Sequence, residues 1–246
     1  MSTISIRGAI DGRDITRDQI HAWEARRLPK AARRIGLATP TGDLAIRRLA
    51  FADAKLALGS NEIRRRLATA LRLSDPVSRS SAWLARGRRV VSACDLYVSG
   101  GDAGTFLDWF TDDGRPDYVR SMIAANPDHH LIETAPDGRQ DVIETTGGSP
   151  LPTRFLVDYA DHVTLHTARD AEFPFHASGV ARAPSGTAIG GVRHQFRDTS
   201  DGFHARLLVE FPSTVLAPMV RQHRWHLAAE FANWIEFAFN PDPPNP

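Results

Sequence analysis

Cysteine is almost missing from this 246-residue chain: Cys94 stands alone, which excludes an internal disulfide and any zinc site built from thiolates. Long apolar runs are missing too. No stretch reaches the ~18 consecutive apolar residues of a membrane span. The start, MSTISIRGAIDGRD, has neither the apolar centre of a secretory signal nor the acid-poor character of a transit peptide, so the cytoplasm is the expected location. There is no G-x-S-x-G elbow, Walker loop or dinucleotide fingerprint, which leaves serine-hydrolase and nucleotide readings unsupported. Any bound metal has to be held by His, Asp and Glu.

Hydrophobic residues make up 42% of the chain and charged residues 24%, ordinary for a chain with one sizeable core or one main domain plus an appendage. The net charge of +1 conceals an asymmetry. Residues 1–90 carry 19 Lys/Arg against 8 Asp/Glu, and residues 91–246 carry 11 against 21. The arginines are interspersed with Ala and Leu at helical spacing, as in Ile63-Arg64-Arg65-Arg66-Leu67-Ala68. No nucleic-acid recognition motif accompanies them. Docking of the two oppositely charged halves, within a subunit or across a dimer, is the expected use of this charge.

The pattern divides the chain at about residue 87. Residues 1–87 read as a helical segment: Asp14 or Thr16 caps a helix to about Arg27 that Pro29 interrupts, a run follows at 44–58, and another spans 62–73 before Ser74-Asp75-Pro76. Residues 88–246 read as strands: Arg89–Val98, then 130–134, 140–145, 153–158 and 161–168, a hairpin of 177–183 and 188–197 around Pro184-Ser185-Gly186, and 203–211. A short helix is expected at 103–110. A long one from about Thr214 to Phe239 ends before a proline-rich tail that cannot continue it. Many antiparallel strands closed by one long C-terminal helix form an α+β pattern. A curved antiparallel sheet wrapped around that helix leaves a cavity suited to apolar ligands with a few polar anchors.

The strongest local signal lies on that helix. In His223-Arg-Trp-His226-Leu-Ala-Ala-Glu230, residues 226 and 230 share one face, and His223 joins the stripe. An imidazole and a carboxylate at this spacing make half a site for zinc or another divalent ion. Trp225, Leu227, Phe231 and Trp234 around them predict burial, and a buried ionised Glu needs a partner. Glu144 sits in the β-prone run Val142-Ile143-Glu144-Thr145, just before Gly147-Gly148, and His194 alternates along its strand. His129-His130, where a loop enters a strand, are read as exposed. Cys94 is read as core.

Four segments, in order, followed by the helix, resemble the family of 2,4-diacetylphloroglucinol hydrolase and phloretin hydrolase. These are zinc enzymes that cleave the carbon–carbon bond between an acyl group and a phenolic ring. Phe106-Leu107-Asp108-Trp109-Phe110 is similar to the family's Leu-Asp-Trp-Trp segment, and Asn126-Pro127-Asp128-His129-His130 to its Pro-Glu-Asp-His turn. Val142–Gly148 resembles the segment bearing its ligand Glu, Val192–Asp198 the strand bearing its substrate-facing His, and His226–Asn233 its His-x-x-x-Glu-Phe-x-Asn helix.

The resemblance implies a helix-grip fold of the birch-allergen (Bet v 1) type, and dimer contacts through the N-terminal helical segment. It also implies a metal held by Glu144, His226 and Glu230, with His194 facing an aromatic or polyketide-like substrate. The family's first ligand, a His shortly after the Trp pair, has no counterpart in Thr111-Asp112-Asp113-Gly114. Asp113 is the expected substitute, with His130 as the alternative. An oxygen-rich donor set of this kind takes zinc and also admits manganese or iron. The expected activity is metal-dependent hydrolysis of an acylated phenol. A polyketide cyclase or lyase in the same pocket and a non-catalytic binder of apolar ligands are the rival expectations.

Overall fold

The chain begins with a hairpin. In the computed structural model, which describes residues 4–240, β1 (Ser5–Ile10) pairs with β2 (Arg13–Ile15). Asp11-Gly12 turns between them with φ of 53° and 71°, the two left-handed residues a tight hairpin needs. Ile6, Gly8 and Ile10 face inward in alternation. The helical expectation for these residues fails because the Asp-Gly turn and this alternation decide the local structure. The proline-rich tail, residues 241–246, lies outside the described residues.

Three helices follow. Thr16 caps α1 (Arg17–Arg34) with a reciprocal Gln19 capping box. The expected interruption at Pro29 does not occur. An interior proline costs about 3 kcal/mol, yet Leu28 and Ile35 are fully buried on either side of it, and each such side chain contributes about 1.5–3 kcal/mol. α2 (Leu44–Leu58) falls where the 44–58 run places it, and α3 (Ser60–Ala85) runs on past Pro76. Their inner faces bring Phe51, Ile63 and Leu67 into one apolar cluster with Leu28, Ala31 and Ile35.

The rest is an α+β arrangement around a nine-stranded antiparallel sheet in the order β2-β1-β3-β9-β8-β7-β6-β5-β4. Its remaining strands are β3 (Arg89–Ser99), β4 (His129–Thr134), β5 (Gln140–Glu144), β6 (Thr153–Asp158), β7 (Phe175–Arg182), β8 (Ala188–Asp198) and β9 (Gly202–Pro212). Residues 161–168 do not form the expected strand. Two of their backbone donors are met by a side chain instead: the Glu210 carboxylate accepts from the N–H groups of His166 and Thr167 and from the Thr167 hydroxyl. Two short helices, α4 (Ala103–Thr111) and α5 (Tyr118–Ala124), precede β4; the sequence signals only the first.

The long C-terminal helix α6 (Ala217–Phe239) packs on the sheet. Phe231 and Trp234 meet Phe110 from α4, and Phe106 meets Phe196 of β8 edge-on and stacks on Phe203 of β9. Strands β4 and β5 separate two apolar clusters. Ile132 and Val142 face the one built on α6, whereas Leu131 and Ile143 face the one built on α1–α3. That alternation decides which side chains can reach the interior. Among the described residues no helix is long and apolar enough to cross a membrane.

Candidate metal centre

Four side chains from three separate stretches converge between β4, β5 and α6. His226 and Glu230 lie one turn apart on α6, with His226 Nε2 3.4 Å from Glu230 Oε2. Glu144 is the last residue of β5, and its Oε2 stands 3.7 Å from His226 Nε2. The fourth donor is His129, the first residue of β4, paired in register with Glu144. Its Nε2 is 2.8 Å from Glu230 Oε2, 3.2 Å from His226 Nε2 and 3.7 Å from Glu144 Oε2. All four residues are buried.

The surroundings fix these groups. His129 Nδ1 donates to the Met122 carbonyl at 3.0 Å, so a neutral ring turns its Nε2 lone pair toward the cluster. Thr146 donates its hydroxyl to Glu144 Oε1 at 2.8 Å. The single 3₁₀ turn at Thr146–Gly148 packs on the start of α6, where a Cβ on Gly147 would lie 2.3 Å from the Met219 carbonyl oxygen. Only glycine lets that turn sit so close and hold Glu144 under the helix. His223, one turn before His226, stacks on its ring at 5.2 Å and bonds through Nδ1 to Ser92 Oγ at 3.0 Å.

The groups are electrostatically coupled. Burial lowers the proton affinity of His226, but Glu144 and Glu230 outweigh it and hold its pKa up at about 9. Burial alone would raise the Glu230 pKa, yet His226 and His129 keep it well below the carboxylate range. Among the described residues, His226 Nδ1 has no hydrogen-bond partner. His129, His226 and Glu230 offer donor atoms close enough together to hold a metal ion, and so do Glu144, His223 and His226.

The cluster opens into a cavity of about 1070 Å³ with its mouth included. Phe110, Ile132, Val142, Phe155, Val209 and Phe231 supply apolar wall, and among the lining residues there is no Lys or Arg. His194, buried on β8, lines the same cavity, with its ring 4.5 Å from Phe231 and, among the described residues, no hydrogen-bond partner for Nδ1. Burial lowers its pKa to about 4, so it is neutral at physiological pH and offers one donor and one acceptor.

The structure thus brings together Glu144, His226, Glu230 and His194, and it corrects the other two expected residues. Asp113 is exposed and accepts a hydrogen bond from Thr134 Oγ1 at 2.9 Å, away from the cluster. His130 is buried, but its Nε2 meets Thr145 Oγ1 at 2.9 Å on another path. Counting back from Ile132, alternation alone would turn His130 toward the cavity, but the bulge between His129 and Leu131 reverses the facing and sets His129 opposite Glu144, on the side of the cluster. The histidines read as exposed are both interior. The missed signal was the turn Asn126-Pro127-Asp128-His129 itself, which contains the fourth donor. No protein-family model matches the chain, and no curated protein matches it.

Proposed function

We propose that the chain is a metal-dependent hydrolase, with zinc as the first candidate ion, that cleaves the bond between an acyl group and a phenolic or polyketide-like ring. The fold type we assign is helix-grip of the birch-allergen kind, in which sheet and long helix enclose the substrate. The observation that carries the proposal is the convergence of His129, Glu144, His226 and Glu230 beside an apolar cavity that also contains His194. Four-coordinate zinc with bonds of about 2.0–2.1 Å keeps neighbouring donors about 3.3 Å apart. The five separations that involve a histidine run from 2.8 to 3.7 Å and bracket that spacing. With His129 in the set, the resemblance to the acylphloroglucinol hydrolases no longer lacks a histidine ligand.

An ion bound there would polarise a carbonyl or phenolic oxygen and make a bound water acidic near neutral pH. The rest of the work falls to the chain's own groups. The overall change is balanced by one water: hydroxyl joins the acyl carbon, the carbon–carbon bond breaks, and the ring carbon takes a proton. A bare aryl anion is too poor a leaving group, so the ring must be protonated as the bond breaks. His194, neutral and without a hydrogen-bond partner at Nδ1 among the described residues, is the group to hold a phenolic oxygen or relay that proton. Phe110, Phe155 and Phe231 seat the ring and exclude bulk water.

Two measurements test this. Elemental mass spectrometry on untagged protein should find about one zinc per chain, and Glu230→Ala should lose it; full occupancy in that variant would sink the assignment. Turnover of an acylphloroglucinol should then give the deacylated phenol and a carboxylic acid. A product isomeric with its substrate, or lighter by one water, would point to a cyclase or lyase. Metal retention with binding but no turnover would leave only a carrier.

A further inference from the structure

The chain has 28 arginines but only two lysines, Lys30 and Lys55. Lys55, on α2, is 1% exposed. No carboxylate pairs with it among the described residues. Its ammonium instead donates to three backbone carbonyls, those of His129 at 2.6 Å, Ile123 at 3.1 Å and Pro127 at 3.4 Å, and lies 4.3 Å from the Phe51 ring centre. Burying a cation without a counter-charge is costly, and burial lowers its pKa to about 7. A chain that uses arginine almost everywhere else keeps lysine where three carbonyls converge. A compact ammonium with three rotatable donors fits such a nest, and a planar fork does not.

The three carbonyls belong to the segment that delivers His129. Its other anchors are Arg27, paired with Asp128 at 2.6 and 2.8 Å, Asn126, donating to the His226 carbonyl at 3.3 Å, and Asn233, donating to that of Ala125 at 2.7 Å. Glu144 and the α6 donors are placed by regular elements. His129 stands at a strand start that a bulge follows, so its position depends on what holds the turn before it. We propose that Lys55 is a positioning residue for the metal centre: by gathering the carbonyls of Ile123, Pro127 and His129 it sets where His129 Nε2 stands relative to Glu144, His226 and Glu230. The inference rests on the metal-centre reading, and its test separates the two.

The full chain is compared with Lys55→Met, which keeps the stem, and Lys55→Arg, which keeps the charge but not its shape. Zn²⁺ affinity is measured by chelator competition, Co²⁺ geometry by visible absorption, and the His129 ring in metal-free protein by its ¹⁵N signals. Loss of an outer-shell partner typically costs about 10–100-fold in metal affinity, and a fall in that range is expected in both variants, with altered Co²⁺ bands and shifted His129 signals. Leu67→Ala, a buried change in the same helical layer, should lower stability and leave all three readouts in place. Affinity within twofold of the unmodified chain, or unmoved His129 signals in a folded variant, would overturn the proposal. An unmodified chain that binds neither ion would defeat the metal reading instead, and the His129 signals would still decide the role of Lys55.

Discussion

His129 Nε2 stands 2.8 Å from Glu230 Oε2 across 101 residues of sequence, while its neighbour His130 faces away toward Thr145. Two adjacent histidines therefore make opposite predictions. His129→Ala removes a donor, and its zinc affinity should fall by more than the about 10–100-fold of an outer-shell change. His130→Ala should keep stoichiometric zinc and lose only stability. Elemental analysis of both variants after dialysis checks this, and retention of zinc by His129→Ala would remove that residue from the centre.

A second pair crosses the molecule out of solvent. Arg48 donates twice to the Glu24 carboxylate, at 2.8 Å each, and Asn233 on α6 donates to the same group at 3.1 Å. Both charges are buried. Removing one partner strands the other, at about 3–5 kcal/mol. The unfolding free energy from urea titration should drop by that amount in Arg48→Met. The double variant Glu24→Leu/Arg48→Met should recover much of it, because no lone charge remains. A double variant as unstable as the single one would mean that the pair itself stabilises the fold.

The α6 signal was legible because His226 and Glu230 are four apart among aromatic residues, and helical spacing alone brings them to one face. Glu144 was legible as an acid in a β-prone run. His129 was not, since alternation back from Ile132 favours His130, and only the bulge after His129, which local sequence does not announce, reverses that. Asp113 attracted attention by its position after Trp109, but α4 ends at Thr111 and leaves that loop at the surface. The first hairpin was hidden by its arginine-rich, helix-like surroundings, although Asp11-Gly12 was there to be read. Pro29 and Pro76 misled for the opposite reason: local cost was visible, and the tertiary burial that outweighs it was not.

His194 ties stability and chemistry to pH. Its pKa is about 4 in the folded chain, lowered by burial, against an ordinary 6.5. As pH falls, the unfolded chain takes up this proton first, so the contribution is complete above pH 6.5 and is lost between 6.5 and 4. At pH 5 the loss is about 2 kcal/mol. Urea unfolding at pH 7.5 and pH 5.0 should show that extra loss in the unmodified chain and not in His194→Leu. The same variant should keep its zinc and lose about 10²–10⁴-fold in turnover, as removal of a proton-transfer group does. Equal acid sensitivity of the two chains would place the titrating group elsewhere.

The cavity's charge sets what it can admit. Glu144, Glu210 and Glu230 line it with no Lys or Arg among the other lining residues. A divalent ion would balance Glu144 and Glu230, and Glu210 is already met by the N–H groups of His166 and Thr167 and by Arg89 at 3.9 Å. A substrate carboxylate would find no cation to pair with. Taking a carboxylate out of water with no free cation beside it costs several kcal/mol. An acylphenol bearing a carboxylate on its acyl chain should therefore show kcat/KM at least about 100-fold below its methyl ester, since each 1.4 kcal/mol is a factor of ten. The ester and the acid have nearly the same shape, so the comparison isolates charge. Equal kcat/KM would mean that the acyl chain projects through the mouth into water, and the ring alone would then be read by the cavity.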